Sequence, residues 1–354
     1  MSDAAFGPEQ MRGDYRRASK KRLICLLGTA GLLCGLMVLD MSFGPSGLPV
    51  DEVMSGIWAG PHGEDRTIAA ILWHLRMPQT LMGVLVGACL GMAGLMMQTI
   101  LNNPLASPFT LGFSASAGFG AALAIMFGST IALPAWAIVP ASAFAMTLIA
   151  CGLIYLLARL RSSTPEILIL GGIAVLFFFQ AIQSLLQYMA APEVLQQIVF
   201  WLFGSMLKAS WISVLVCGVI FLASLPFIIR DTWALTTLRL GDANARSLGL
   251  RVDALRRRSF VIVALLTAAA VSFVGTIGFV GLIAPHAARS FVGEDHRFAL
   301  PLSATMGSAI LIAASVIGKV ISPGAVIPVG IITAVAGVPM LFGIILRHNS
   351  RKGD

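Results

Sequence analysis

The stretch Gly241-Asp242-Ala243-Asn244-Ala245-Arg246-Ser247-Leu248-Gly249-Leu250 has the residue types of a short, capped helix. Asp242 is a good N-cap, Ala243 to Leu248 suit a helix, and Gly249 can take the left-handed conformation that ends one. It lies in a polar loop, Arg230 to Arg258, that interrupts an otherwise apolar chain. An amphipathic helix outside a bilayer gains little unless something docks on it, so the chemistry expected here is recognition of a soluble partner. A second constellation, Asn102-Asn103-Pro104-Leu105, ends an apolar run. Pro104 cannot continue a helix, and the residue before it is pushed towards extended geometry. On its own this reads as an ordinary span-ending turn.

Bond-breaking chemistry finds no support. There is no HExxH, no Ser/His or paired-Asp arrangement, and no GxxxxGK[ST] loop, so the chain has no Walker A site for ATP. Cys25, Cys34, Cys89, Cys151 and Cys217 all fall in apolar stretches without CxxC or CxxH spacing. They read as small core residues, and no metal or cofactor is expected on this chain.

The elements that must position these motifs are set by composition. Of 354 residues, 57% are hydrophobic and 11% charged, with mean hydropathy +0.89. Soluble domains carry roughly 25% charged residues, so the expectation is an all-α integral membrane protein. A crossing needs about 20 apolar residues. The apolar runs then predict ten spans, at 23–41, 77–101, 110–128, 133–158, 166–190, 207–229, 258–275, 277–292, 298–320 and 326–346. A tail of residues 1–22 precedes them and another, 347–354, follows. The segment from Ser42 to Leu75, with Pro45, Pro49 and Pro61, reads as loop with a short surface helix.

Net charge of +8 and a pI near 9.7 do not point to nucleic acid, because the basic residues lie between spans. One side collects Arg12, Arg16, Arg17, Lys20, Lys21, Arg22, Arg159, Arg161, the seven arginines from Arg230 to Arg258, Arg289, Arg297, Arg347, Arg351 and Lys352. The other keeps Arg66, Arg76, Lys208 and Lys319. This asymmetry predicts cytoplasmic termini. No Asp or Glu lies mid-span, with Asp40 and Glu166 at span ends, whereas ion-coupled transporters hold their ion on midplane ionisable groups. Gly83, Gly87 and Gly91 form a stripe suited to close helix approach, and Gly275, Gly278 and Gly281 suit a tight hairpin.

Three segments carry a resemblance. Arg76-Met77-Pro78-Gln79 enters the second span, which leaves through Gln98 to Pro108 and Leu111-Gly112. Phe200-Trp201-Leu202-Phe203-Gly204-Ser205 precedes the polar loop already described. Gly275 to His286, then Gly293-Glu294-Asp295-His296-Arg297, ends at Pro328 to Ala334. Together, in uninterrupted order from about Arg76 to Leu346, they resemble the permease family of ABC importers for iron–siderophore complexes, haem and cobalamin, the FecCD/cobalamin type.

The resemblance implies a ten-helix permease subunit that dimerises around a central translocation path. Two ATPase subunits, holding ATP and Mg, would bind on the cytoplasmic side, a substrate-binding protein would dock outside, and a second permease copy or homologue would complete the path. Asn103 and Leu105 become cytoplasmic gate candidates, with Ser163 and Thr164 at a second gate element. Thr164 also stands where it would N-cap the fifth span ahead of Pro165. Gly241, Asp242, Arg246, Leu248 and Gly249 become the ATPase coupling helix. Arg76 and Lys319 occupy positions that salt-bridge the binding protein in similar permeases, or they snorkel to the interface. Gln79 replaces an arginine and Lys319 stands where arginine is usual, which loses bidentate geometry. His286 reads as a packed histidine or a haem ligand; His62 and His74 face outside. The expected function is metal-chelate import, of ferric siderophore or, by the same machinery, haem or cobalamin, in a bacterial inner membrane. An ATP-independent secondary transporter is the contrasting class.

Overall fold

The computed structural model describes residues 8–63, 65–128, 133–161, 164–322 and 326–350, with side chains in the first helix described at 17 and from 19 onward and in the last to 343. Every element in those residues is helical: α1 (Pro8–Ser42), α2 (Val50–Ala59), α3 (Arg66–Ala70), a π-helical turn (Ile71–Arg76), α4 (Met77–Ile100), α5 (Phe113–Phe127), α6 (Ala135–Leu160), α7 (Pro165–Met189), α8 (Pro192–Leu202), α9 (Trp211–Leu238), α10 (Asp242–Ser247), α11 (Val252–Val274), α12 (Val280–Val292), α13 (His296–Ile321) and α14 (Val329–Ser350).

Seven helices among the described residues are long and apolar enough to cross a membrane. The expectation of ten spans is therefore not met in full. α5 and Val329–Gly343 are apolar but shorter, and α12 has 13 residues. At 1.5 Å per residue α12 is about 20 Å long, against about 30 Å of hydrocarbon. α12 is largely buried among the other helices, and that burial accounts for its apolar composition.

α4 lies at the centre, against α13, α11, α12 and α9. Its apolar window is 83% buried, whereas those of α6, α7 and α9 are 28% or less. Small residues make this possible. A Cβ on Gly87 would meet the backbone of Gly307 and Ser308, and one on Gly91 the backbone of Ser303. On the neighbouring face a Cβ on Gly94 would overlap the carbonyl of Gly281 in α12. Ser303 and Ser308 hydroxyls donate to the carbonyls of Gly91 and Val84, both at 2.7 Å. Such contacts replace the hydrophobic drive that lipid removes. Gly275, at φ +80°, turns the chain against the carbonyl of Trp201, and Phe279 holds φ +66° at the start of α12.

Several sequence boundaries move. α1 is helical from Pro8, so much of the expected 1–22 tail continues the first span; helix-forming Glu, Gln, Met, Arg and Lys carry it past the apolar limit. The Arg230–Arg258 loop shrinks to residues 239–251, because α9 runs to Leu238 and α11 starts at Val252. Asp231, nearly buried, pairs with Arg258 and joins the two helix extensions. Of the cysteines, Cys89, Cys151 and Cys217 are core, but Cys34 is exposed.

Candidate functional site

The short helix is present as α10, but Gly241 (φ +94°) is its N-cap and Asp242 is its first helical residue without a capping hydrogen bond. The Asp242 carboxylate is instead held by Arg256, whose Nη2 and Nη1 lie 2.9 and 3.1 Å from its oxygens. Gly249 (φ +85°) ends the helix as expected. Its N–H donates to the Arg246 carbonyl and that of Leu250 to Ala245, the paired bonds of a Schellman stop. Ala245 is fully buried and anchors α10, while Leu248 is 66% exposed. Arg246 is also exposed, 3.3 Å from Asp253. α10 thus presents an apolar knob beside a cation on a helix whose ends are fixed.

The turn after α4 hangs from that same region. Asn102 holds φ +46°, and Asn103 donates its N–H to the Gln98 carbonyl at 3.0 Å. The Asn103 side chain accepts from the Leu105 N–H at 2.9 Å, and Leu105 is 43% exposed. Arg239, at the end of α9, reaches both Asn102 Oδ1 (3.3 Å) and Glu294 (3.0 Å). Arg289 on α12 binds Gln98. His296, completely buried, hydrogen-bonds with Thr99 of α4 at 2.8 Å and Thr236 of α9 at 3.3 Å. Arg239 thus ties the 102–105 turn to the end of α9, the element that leads into α10. Thr164 occupies the N-cap position of α7, ahead of Pro165, but makes no side-chain capping bond; Ser163 lies outside the described residues.

Beside this region Asp295 caps α13 through the Arg297 N–H and pairs with the side chains of Arg297 (2.6 Å) and Arg22 of α1 (3.4 Å). The Arg297 side-chain hydrogen bond, chiefly, holds its carboxyl below the ordinary value of 3.8. A depressed folded-state value means the stabilisation is complete above 3.8 and is lost as pH falls through the lowered one. Asp295→Ala should therefore lower stability by about 1–2 kcal/mol at neutral pH, and Asp295→Asn by less, since Asn can still cap. Thermal midpoints of the two variants between pH 7 and 3, with the gap to the parent narrowing towards the acid end, check this.

At the opposite end the expected outward-facing cations are inside. Arg76 is only 5% exposed. Its guanidinium donates to the carbonyls of Met41, Ser42 (3.0 Å) and Ser46. Lys319 donates to the Asp40 carbonyl at 2.8 Å and to its carboxylate at 2.7 Å. Asp40, fully buried, also accepts from Thr80 (2.5 Å) and Ser315 (2.6 Å). The physical reason is the end of α1: its last carbonyls lack intrahelical partners, and two cations satisfy them where the helix dipole is negative. The head groups of Arg76 and Lys319 are therefore both engaged within the chain. The sequence signal for this was Asp40, a lone acid at a span end. Gln79 is half-buried and reaches the Leu207 carbonyl at 3.4 Å. Arg76, Gln79, Lys319 and Leu207 border a recess of about 270 Å³ on this face.

Seven helices long and apolar enough to cross a membrane, packed through glycine on the central α4, define a multi-pass membrane protein. The chain belongs to the FecCD transport family, whose profile matches residues 32–347. It is 35% identical over 345 residues to an ABC transporter permease protein of Methanocaldococcus jannaschii, covering 95% of this chain and 98% of that one. It is 33% identical to the iron(3+)-hydroxamate import permease of Bacillus subtilis, over 94% and 84% of the two chains. It is 35% identical to the cobalamin import permease of Halobacterium salinarum, over 82% and 77%. A solved structure described as an inward-facing metal-chelate type ABC transporter superposes with TM-score 0.80 at 30% identity, covering 91% of this chain and 98% of that one. The chain is a permease subunit of ABC importer type.

Proposed function

We propose that this permease carries a metal chelate, a ferric siderophore or a related complex, through a path completed by a second copy or a homologue. Relatives named for iron(3+)-hydroxamate and for cobalamin import both align along most of the chain, which supports the chelate class. A bundle whose long spans carry their acids at the ends suits a weakly adhesive path for a bulky ligand. Two ATPase subunits sit on α10 and supply ATP hydrolysis; a substrate-binding protein delivers cargo to the opposite face. Basic residues cluster on the α10 side, which supports a cytoplasmic placement of that face and of both termini in an inner membrane. Asn103 and Leu105 form one part of the cytoplasmic gate, with Ser163 and Thr164 as the second. The binding protein meets the exposed rim around Arg66 and Lys208, while Arg76 and Lys319 keep that rim rigid.

The observation that carries this reading is α10: anchored by buried Ala245, stopped at Gly249, and presenting Arg246 and Leu248 outward. Arg246→Glu combined with Gly249→Pro reverses the charge and removes the left-handed stop. In the assembled complex, co-elution of the ATPase and substrate-stimulated hydrolysis should each fall by at least about tenfold, equivalent to about 1.4 kcal/mol of binding. Normal co-elution and uptake would show that the ATPase docks elsewhere.

A further inference from the structure

Arg256 heads the large side chains that are withdrawn completely from solvent. It stands one turn into α11 and faces two ways. Its Nε donates to the Ile100 carbonyl at 2.7 Å, one of the last α4 carbonyls, which have no intrahelical partner. Its two terminal nitrogens grip Asp242 at the first residue of α10. The arginine side chain is 1% exposed and that of Asp242 40%, so the fork reaches from the surface helix into the bundle. A guanidinium is planar, with its nitrogens fixed relative to one another. A shift of Asp242 is therefore delivered to Ile100 with little slack, and Ile100 lies two residues before the left-handed Asn102 that begins the gate turn.

Simple stability does not explain such a residue. A buried ion pair is commonly no better than well-packed apolar side chains of the same volume. A methionine would fill the space without desolvating a charge. What an apolar residue cannot do is bind a helix-end carbonyl and a carboxylate on a different element at once. α10 itself rests on α9 and α11, and Arg256 adds a polar link onward to α4. Arg239, through Asn102, gives the same turn a second and more exposed hold.

We propose that Arg256 is a positioning residue that transmits movement of α10 to the turn at residues 102–105, coupling ATPase closure to the gate. The proposal rests on the assignment of α10 as the ATPase dock and of that turn as a gate. Docking and transmission are separable: the exposed face of α10 binds, and the buried fork relays.

The test uses the full complex of permease, ATPase and binding protein in proteoliposomes, with Arg256→Met and Arg256→Lys. A spin label at Leu105→Cys, with Cys25 and Cys34 changed to serine, reports the gate distance between two copies with and without trapped ATP. In Arg256→Met, ATPase co-elution and basal hydrolysis should stay within about twofold of the parent, while uptake falls about tenfold or more and the ATP-dependent change in label distance collapses. Arg256→Lys keeps the charge but not the fork, and should lose uptake to an intermediate degree at near-parental thermal stability. A purely structural role would lower the yield of complex while leaving the label response of each assembled complex intact, and that result overturns the proposal. If Arg256→Met does not assemble, Arg256→Lys decides: full uptake with a parental label response overturns it, and uncoupling with normal assembly supports it. Failure of the docking assignment reads differently, as normal ATPase co-elution in the Arg246→Glu, Gly249→Pro chain.

Discussion

Gly94→Val should destabilise the bundle by about 3 kcal/mol or more, the upper end of what overpacking costs. In an isolated helix the exchange would help slightly, since glycine is roughly 0.8–1.0 kcal/mol worse than alanine in a helix interior. The tertiary contact reverses that sign. A Cβ at Gly94 would fall on the carbonyl oxygen, carbonyl carbon and Cα of Gly281. These are backbone atoms at the start of α12 and cannot swing aside as a side-chain end can. Separating α4 from α12 would also disturb the Gln98–Arg289 contact one turn further along. Gly31→Ala in α1 is the control, because nothing lies within 4 Å of a Cβ there; it should be neutral or slightly stabilising. Thermal midpoints of both variants in the same detergent give the comparison, and a Gly94→Val midpoint equal to that of Gly31→Ala would refute the packing argument.

The same contrast shows what the chain made legible. The Gly83, Gly87 and Gly91 spacing placed a close helix contact on α4 because helical periodicity alone puts those residues on one face. Gly249 as a left-handed stop followed from glycine's freedom at positive φ. Neither required a partner to be identified. Asp242 is different: its type suits a cap, but a buried arginine 14 residues on offered a bidentate partner and won. The polar loop is shorter than hydropathy suggests, because hydropathy reports the lipid boundary and a helix can continue beyond it. α9 does so for two turns past Arg230, with Asp231 joined to Arg258. α12 reads as a span in the sequence because burial within protein and burial in lipid demand the same apolar residues. Contacts such as His296 with Thr99 and Thr236 are invisible to local spacing, being separated by 197 and 60 residues. The family resemblance suggests the coupling and gate roles; the bonds of Arg256 to Asp242 and to the Ile100 carbonyl, on separate elements, have no signature in local spacing.

Lys319→Met should be at least as costly, about 3–5 kcal/mol, because it leaves the fully buried carboxylate of Asp40 without its ammonium. Thr80 and Ser315 would still donate to that carboxylate, but two neutral hydroxyls do not balance a charge in a site closed to water. Asp40→Asn in the same chain removes the orphaned charge, so the double variant should recover most of the loss. The residual deficit reports the Asp40 carbonyl, which Lys319 also caps at 2.8 Å. Asp40→Asn alone should be damaging too, since it strands the ammonium of a side chain only 6% exposed. A double-mutant cycle on thermal stability would then return a coupling of roughly 2–3 kcal/mol. The functional readout separates a rigid rim from a docking contact. If Lys319 serves as a lock, the double variant regains binding-protein affinity together with stability. If its charge itself meets the binding protein, stability returns while affinity stays low, and the assignment of the exposed rim around Arg66 and Lys208 as the docking surface falls.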